Sequence, residues 1–433
     1  MRDVLLAAIV LGALPYVLRY TWAGVMLWTW ISIMNPHRLT YGFAFDFPWA
    51  QLVAAATLLS LLWNQERLTF PWTASVKVLM LFLVWVCITT VFAVHLEPSI
   101  DQLIKVLKIQ LFTLIALAAI QERRHIELFL WVNVLSIGYF GVKGGVFVIR
   151  SGGGERVWGP AGSYIEGNNE LGLAIVLIIP LMYYLWAVSK QRWVRWAMLF
   201  AMLACATAAI GTYSRGAFLA IAAMVVVLWW RARSKILSGL LIGLSAALLL
   251  SFMPSVWEER MGTITNYAED ASAQGRLNAW TMAFNLANHR LTGAGFETST
   301  MDLFERYAPI AYPRAAHSIY FQILGEHGWL GLILFLSIGA GAFALANRVR
   351  RLSKTVPDGE WLYVLAGMIQ VSMVGYAVGG AFLSLAYFDL PYNILVILVA
   401  CNRWIDEKGW ETERGGAFGA GTPTLAMAPG TIR

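Results

Sequence analysis

Residues 171–235 read LGLAIVLIIPLMYYLWAVSKQRWVRWAMLFAMLACATAAIGTYSRGAFLAIAAMVVVLWWRARSK. Three apolar runs, near 169–188, 194–210 and 215–230, are separated first by Lys190, Arg192 and Arg195 and then by a polar turn at 211–214. A second basic burst, Arg231, Arg233 and Lys235, follows the third run. About 20 apolar residues of helix span a bilayer's hydrocarbon core, so this stretch reads as three successive crossings. Both basic bursts then mark the cytoplasmic side and the 211–214 turn the opposite one.

The pattern extends along almost the whole chain. Apolar segments fall near 3–18, 21–34, 48–63, 75–93, 102–120, 126–149, 169–188, 194–210, 215–230, 236–253, 316–346, 361–386 and 389–402. They predict an all-α, polytopic integral membrane protein with about 12 transmembrane helices. Residues 1–34 read either as one broken crossing or as a short pair. The 433 residues are 59% hydrophobic and 13% charged, against about 25% charged for soluble domains, which excludes a soluble enzyme. Continuous apolar runs exclude a membrane β-barrel, whose strands alternate over about 10 residues. The net charge of +7 lies in short bursts between apolar runs, including Arg123 with Arg124 and the group Arg348, Arg350, Arg351 and Lys354, and so is no nucleic-acid footprint. Cys87, Cys205 and Cys401 lie in or beside apolar runs and read as small buried hydrophobes. The N-terminal segment lacks a clear small-residue cleavage site and reads as uncleaved.

Segments 150–168, 211–214, 254–315 and 384–391 are expected on the far side of the membrane. Of these, 254–315 holds five Arg, no Lys and seven Asp or Glu and is the longest, which suggests a division into 1–253, 254–315, 316–404 and 405–433. Within it, 276–289 (RLNAWTMAFNLANH) has helical spacing, with Arg276 and Trp280 one turn apart, and predicts an amphipathic helix lying on the bilayer. The Gly-rich tail from about 415 reads as disordered. No internal repeat of the transporter kind is present.

Soluble-enzyme motifs are missing: there is no Walker loop, HExxH, CxxC, G-x-S-x-G or nucleotide fingerprint, so neither a nucleotide nor another cofactor is expected. What stands out is a set of ionisable residues at the outer ends of apolar helices. His317 opens the stretch HSIYFQILGEHGWLG. In a first helical turn it would face the positive end of the dipole and stay neutral, as a general base must, and it reads equally as a capping or interface histidine. Glu326 lies nine residues on, about 13 Å deeper along a helix, and with His327 reads as structural. Arg215, in GTYSRGAFLA, joins a planar fork of donors to a helix N-terminus, and Arg276 is expected to repeat the design; both suit phosphate and equally suit snorkelling to headgroups. Arg260, Arg290, Arg306 and Arg314 read as partners of local carboxylates.

Residues 138–170 read GYFGVKGGVFVIRSGGGERVWGPAGSYIEGNNE. Lys143, flanked by glycine inside an apolar run, is expensive unless it faces a polar cavity or an interfacial anion. Asn168 and Asn169 supply amides suited to sugar hydroxyls, although Asn169 fits a helix N-cap equally well. Ser214, Trp280 and Ser318 lie beside these groups and join them as candidate substrate contacts. Glu269 and Asp270 are adjacent while Asp46, Asp101 and Asp389 are scattered, so no metal site is expected.

The stretch from His317 to Gly331 resembles the C-terminal signature of the O-antigen ligase and O-antigen polymerase superfamily, and GTYSRGAFLA resembles its Ser-Arg-Gly element. Arg276 in GRLNAW falls where that family has a second functional arginine. NPHRLTYG at 35–42, GVKGG at 141–145 and GNNE at 167–170 resemble the exosortase-associated O-glycosylation ligase branch. The resemblance implies a metal-independent, inverting glycosyltransferase of the GT-C type on the periplasmic side of the inner membrane. It implies an undecaprenyl-diphosphate-linked glycan as donor, a lipid A-core sugar hydroxyl as acceptor, His317 as base, and Arg215 and Arg276, with Lys143 as a further candidate, on the diphosphate. Polymerase, protein O-oligosaccharyltransferase and lipid-linked glycan transporter are the alternatives.

Overall fold

A computed structural model describes residues 1–63, 68–232, 234–250, 271–411 and 413. Its helices are α1 (Arg2–Arg19), α2 (Thr21–Met34), α3 (Trp49–Trp63), α4 (Ala74–Val91), α5 (Leu96–Ala119), α6 (Arg123–Arg150), α7 (Asn168–Val188), α8 (Arg192–Gly211), α9 (Arg215–Arg231), α10 (Lys235–Leu250), α11 (Ala271–His289), α12 (Met301–Tyr307), α13 (Ile319–Leu352), α14 (Glu360–Gly380) and α15 (Asp389–Asp406). A 3-10 turn, Pro36–Leu39, links α2 to α3, and there is no strand among the described residues.

Seven helices, α4 to α8, α13 and α14, are long and apolar enough to cross a membrane. Helices α2, α3, α9 and α10 are shorter, at 14, 15, 17 and 16 residues, while α1 and α15 each hold 18 residues but carry charge at their ends. Each apolar segment expected from the sequence therefore carries a helix among the described residues, the one expected over 361–386 ending at Gly380. Residues 1–34 form a pair of helices broken at Tyr20, whose backbone is extended (φ −135°, ψ 113°).

Helices α7 and α15 form the centre and are buried along most of their length. In α6 the glycines of GVKGG make a small-residue seam against α8, the close approach by which membrane helices gain dispersion contact. A methyl group at Gly145 would stand 2.2 Å from the carbonyl oxygen of Ala204, and one at Gly141 2.3 Å from Cys205 Sγ. Cys205 and Cys401 are buried and Cys87 is half-buried, all unbridged.

One end of the bundle gathers the basic clusters, where Arg123 pairs with Glu127 at 2.9 Å, Arg348 with Asp406 at 2.8 Å and Arg403 with Glu407 at 2.8 Å. The other end is built from the long loops. There Asp389 at the start of α15 accepts from Ser32 Oγ at 2.6 Å, and Val94 N–H donates to Ala294 O at 2.8 Å. Helix α11 buries Ala279, Met282 and Leu286 with Leu303 and Phe304 of α12 and packs on α13. Part of its apolar face is thus spent on protein, while Leu277 and Phe284 stay exposed. Residues 254–270 of the expected 254–315 subdomain and most of the 405–433 tail lie outside the described residues, as do Arg260, Glu269 and Asp270.

Helix α13 is interrupted at Gly328 (φ 67°, ψ −171°). A Cβ there would stand 2.2 Å from Leu291 O, so only glycine fits both the dihedral and the space. The carbonyls of Gly325 and Glu326 are taken up by the N–H groups of Ala294 and Gly295, each at 3.0 Å, and His327 O accepts from Trp85 Nε1 at 2.8 Å. The break thus pins the 293–295 loop to the start of α13 without an unpaired backbone group at these positions.

Candidate active site at the loop-rich end

The GTYSRG turn between α8 and α9 needs an abrupt reversal, and Tyr213 provides it in the left-handed region (φ 58°). Its hydroxyl donates to Gly153 O at 2.5 Å. Ser214 then caps α9, its Oγ accepting from Ala217 N–H at 3.2 Å, and Arg215 is the first helical residue. An N-cap serine and free first-turn amides are what an anion site at a helix start requires. Asn168 Nδ2 donates to Thr212 O at 2.7 Å, tying the first turn of α7 to the same reversal. Gly167 is the cap of α7, so neither asparagine caps it: Asn168 and Ser214 serve as ties within the fold, and Asn169 is half-buried in the first turn.

The third wall comes from α11 and the 308–318 segment. Trp280 stacks on Phe321, centroids 4.8 Å apart, and donates its indole N–H to Ala316 O at 2.7 Å. Its polar atom is thus committed to the residue preceding His317. His317 itself is held at φ 43° and precedes Ser318, the N-cap of α13. It therefore stands just outside the helix, correcting the expectation of a first-turn histidine governed by the dipole. Burial is the main influence holding its imidazole below the ordinary value of 6.5, with the charges of Arg276 and Arg314 adding to it. The inference of a neutral imidazole survives on a different cause. Ser318 is 1% exposed and its hydroxyl has no hydrogen-bond partner among the described residues, leaving a buried polar atom beside the histidine.

Arg276 sits five residues into α11, not at its N-terminus as expected, and its charge acts on both His317 and Glu170 of α7. It thereby links the α11 wall to the α7 turn that holds Thr212, two residues from Ser214. The ends of α13 and α14 close this grouping: Ile319 lies against Gly380, and Gly216 against Gly379 and Phe382. Arg215, Arg276 and His317 thus come from three separate parts of the chain to one end of the bundle. Sequence reasoning missed Arg314 by assigning it to a carboxylate. It lies against Gly275, 5.1 Å from the Tyr312 ring centroid, within electrostatic reach of His317. Its three-residue spacing from His317 was the available signal.

Glu326 accepts from Tyr387 Oη at 2.5 Å, and His327 bonds Tyr387 Oη and Thr89 Oγ1, each at 2.7 Å. Both are buried and committed to this network, in keeping with a structural reading. Arg290 donates to the carbonyls of Gly293 and Phe92, each at 2.9 Å, not to a carboxylate.

Lys143 is an exposed residue. Gly141 and Gly145, four residues apart, face α8, so residue 143 points about 200° away at 100° per residue, and its side chain is exposed on the outer surface of α6. No described contact brings it to the diphosphate candidates. No group of three or more His, Cys, Asp or Glu suited to a metal occurs among the described residues.

A bundle of membrane-length helices with a polar, loop-built site at one end defines a multi-pass α-helical membrane protein. Residues 200–336, which hold Arg215, Arg276, Arg314 and His317, match the family model described as O-antigen ligase. Residues 1–190 match a family model described as a family of unknown function, DUF5935. No curated protein matches the chain at a significant level.

Proposed function

We propose that the protein is an O-antigen ligase of the exosortase-associated branch, transferring a glycan from undecaprenyl diphosphate to a sugar hydroxyl of lipid A-core on the periplasmic face of the inner membrane. The observation that carries this reading is the half-buried His317, fixed by Trp280 through Ala316 and flanked by Arg276 and Arg314. A neutral imidazole accepts the proton of the acceptor hydroxyl as its oxygen bonds to the anomeric carbon. The bond from that carbon to the diphosphate oxygen breaks, and the diphosphate leaves with the electron pair. Arg276, and Arg215 at the head of α9, neutralise the charge that grows on it. Attack opposite the leaving group inverts the anomeric centre, and no metal takes part in these steps.

A cavity of about 320 Å³ supports a lipid-borne substrate. It begins at Ile319 and Tyr320, two and three residues after His317, and is walled by apolar residues such as Phe335, Met373 and Leu395 of α13, α14 and α15. Basic clusters at the opposite end support a periplasmic site by the positive-inside rule.

The test mixes purified protein, undecaprenyl-diphosphate glycan and lipid A-core in lipid or detergent, with EDTA and no nucleotide. Glycan-bearing lipid A-core from wild type and none from His317→Ala is the expected result. Unmodified lipid A-core with lengthened donor glycan would make the protein a polymerase instead.

A further inference from the structure

The NPHRL segment between α2 and α3 is held by its backbone while its basic side chains are not. Asn35 takes the left-handed region (φ 49°) and donates from Nδ2 to Ser32 O at 2.8 Å. Arg38 N–H bonds Asn35 O at 2.9 Å, Thr40 Oγ1 bonds His37 O at 2.6 Å, and Arg2 Nη1 reaches Leu39 O at 3.2 Å. A turn pinned at this many points presents its side chains in one geometry. Yet His37 Nδ1 and Arg38 Nε are buried and meet no hydrogen-bond partner among the described residues.

The guanidinium of Arg38 lies 4.8 Å from the Phe45 ring centroid and covers Gly162, where a Cβ would stand 3.2 Å from Nη2. Gly162 N–H is taken by Glu166 Oε2 at 2.8 Å, but no carboxylate of the described residues comes within ion-pair distance of Arg38. A half-buried guanidinium with no carboxylate in direct contact among the described residues costs stability, and an anionic ligand would offset that cost. The location fits such a ligand. The 159–167 loop under Arg38 runs directly into the first turn of α7, where Glu170 meets the charge of Arg276. Ser32, in the last turn of α2 just before the NPHRL segment, bonds Asp389 at the head of α15.

We infer that His37 and Arg38 form an anion subsite, supplied by the N-terminal part of the chain, that receives a phosphate of the acceptor glycolipid. The planar fork of Arg38 suits two phosphate oxygens, and the imidazole of His37 adds a donor beside it. The acceptor's identity, though not the anion subsite, rests on the function proposed above. The segment 1–190 thereby gains a role in recognition, while 200–336 carries the transfer site.

The experiment measures binding to the full-length protein in detergent, which needs no turnover. The probes are lipid A-core with its phosphates, the same lipid after phosphatase treatment, and phosphatidylglycerol. Wild type is expected to bind the phosphorylated lipid about ten-fold more tightly than the treated one, the worth of one good charge-assisted contact. Arg38→Ala removes that preference, and Arg38→Lys, which keeps the stem against Phe45, reduces it. Absence of the preference in wild type, or its persistence in both variants, overturns the inference. Competition by phosphatidylglycerol as strong as that of the phosphorylated acceptor overturns it too, by making this a headgroup site. Arg38-dependent binding by a protein that transfers no glycan would refute the ligase reading alone; transfer without Arg38-dependent binding would refute the subsite alone.

Discussion

At the scale of single residues, His317 is the proposed base, and its proton affinity is set by its surroundings. Burial and two nearby guanidinium groups disfavour the imidazolium, so the neutral form persists at lower pH than for a free histidine. Since the base acts when neutral, kcat/KM should be flat above pH 6.5 and fall only as pH drops through a value below 6.5. An acid limb centred above that value would contradict the assignment. Trp280→Phe keeps the stack on Phe321 but loses the bond to Ala316 O, about 1 kcal/mol of tethering. Because the lost group holds the base rather than the substrate, kcat should drop several-fold with KM for both substrates little changed. A raised acceptor KM at unchanged kcat would return Trp280 to the role of substrate contact.

At the scale of elements, the interruption of α13 joins fold to site. Gly328→Ala puts a methyl group 2.2 Å from Leu291 O at a positive φ, so the 293–295 loop must shift or the helix straighten. The melting temperature should fall by an amount corresponding to about 2 kcal/mol or more, read by thermal unfolding in detergent. Helix α6 makes the opposite point. Its glycines pack and its lysine does not, so Lys143→Ala should leave both transfer rate and melting temperature close to wild type. A ten-fold loss of transfer would show that Lys143 reaches the diphosphate after all.

At the scale of the whole molecule, charge is segregated between two ends. Single cysteines placed at Lys354 and at Arg306, in a background lacking the three native cysteines, should be labelled from opposite sides of an intact inner membrane. Maleimide that does not cross the membrane should reach position 306 in whole cells and position 354 only after lysis. Labelling of both from the same side would refute the topology.

Fold class and helix positions were legible in the sequence because a bilayer imposes one simple demand, a run of apolar residues with every backbone bond satisfied internally. Arg215, Arg276 and His317 stood out as candidates too, since charge at the end of an apolar helix is costly, and the fold brings them to one end of the bundle. The sequence could not show which residues a side chain meets across separate helices. Lys143 and Arg314 illustrate this: one, set in an apolar run, is exposed on the outside of α6, and the other, expected beside a carboxylate, stands near the histidine. The break at Gly328, the commitment of Trp280 to Ala316 and the open guanidinium of Arg38 likewise depend on loops from distant parts of the chain meeting at one end. Hydrophobicity is a property of each residue and can be read in a line, whereas a hydrogen bond or a missing counter-charge belongs to a pair, and only tertiary packing chooses the pairs.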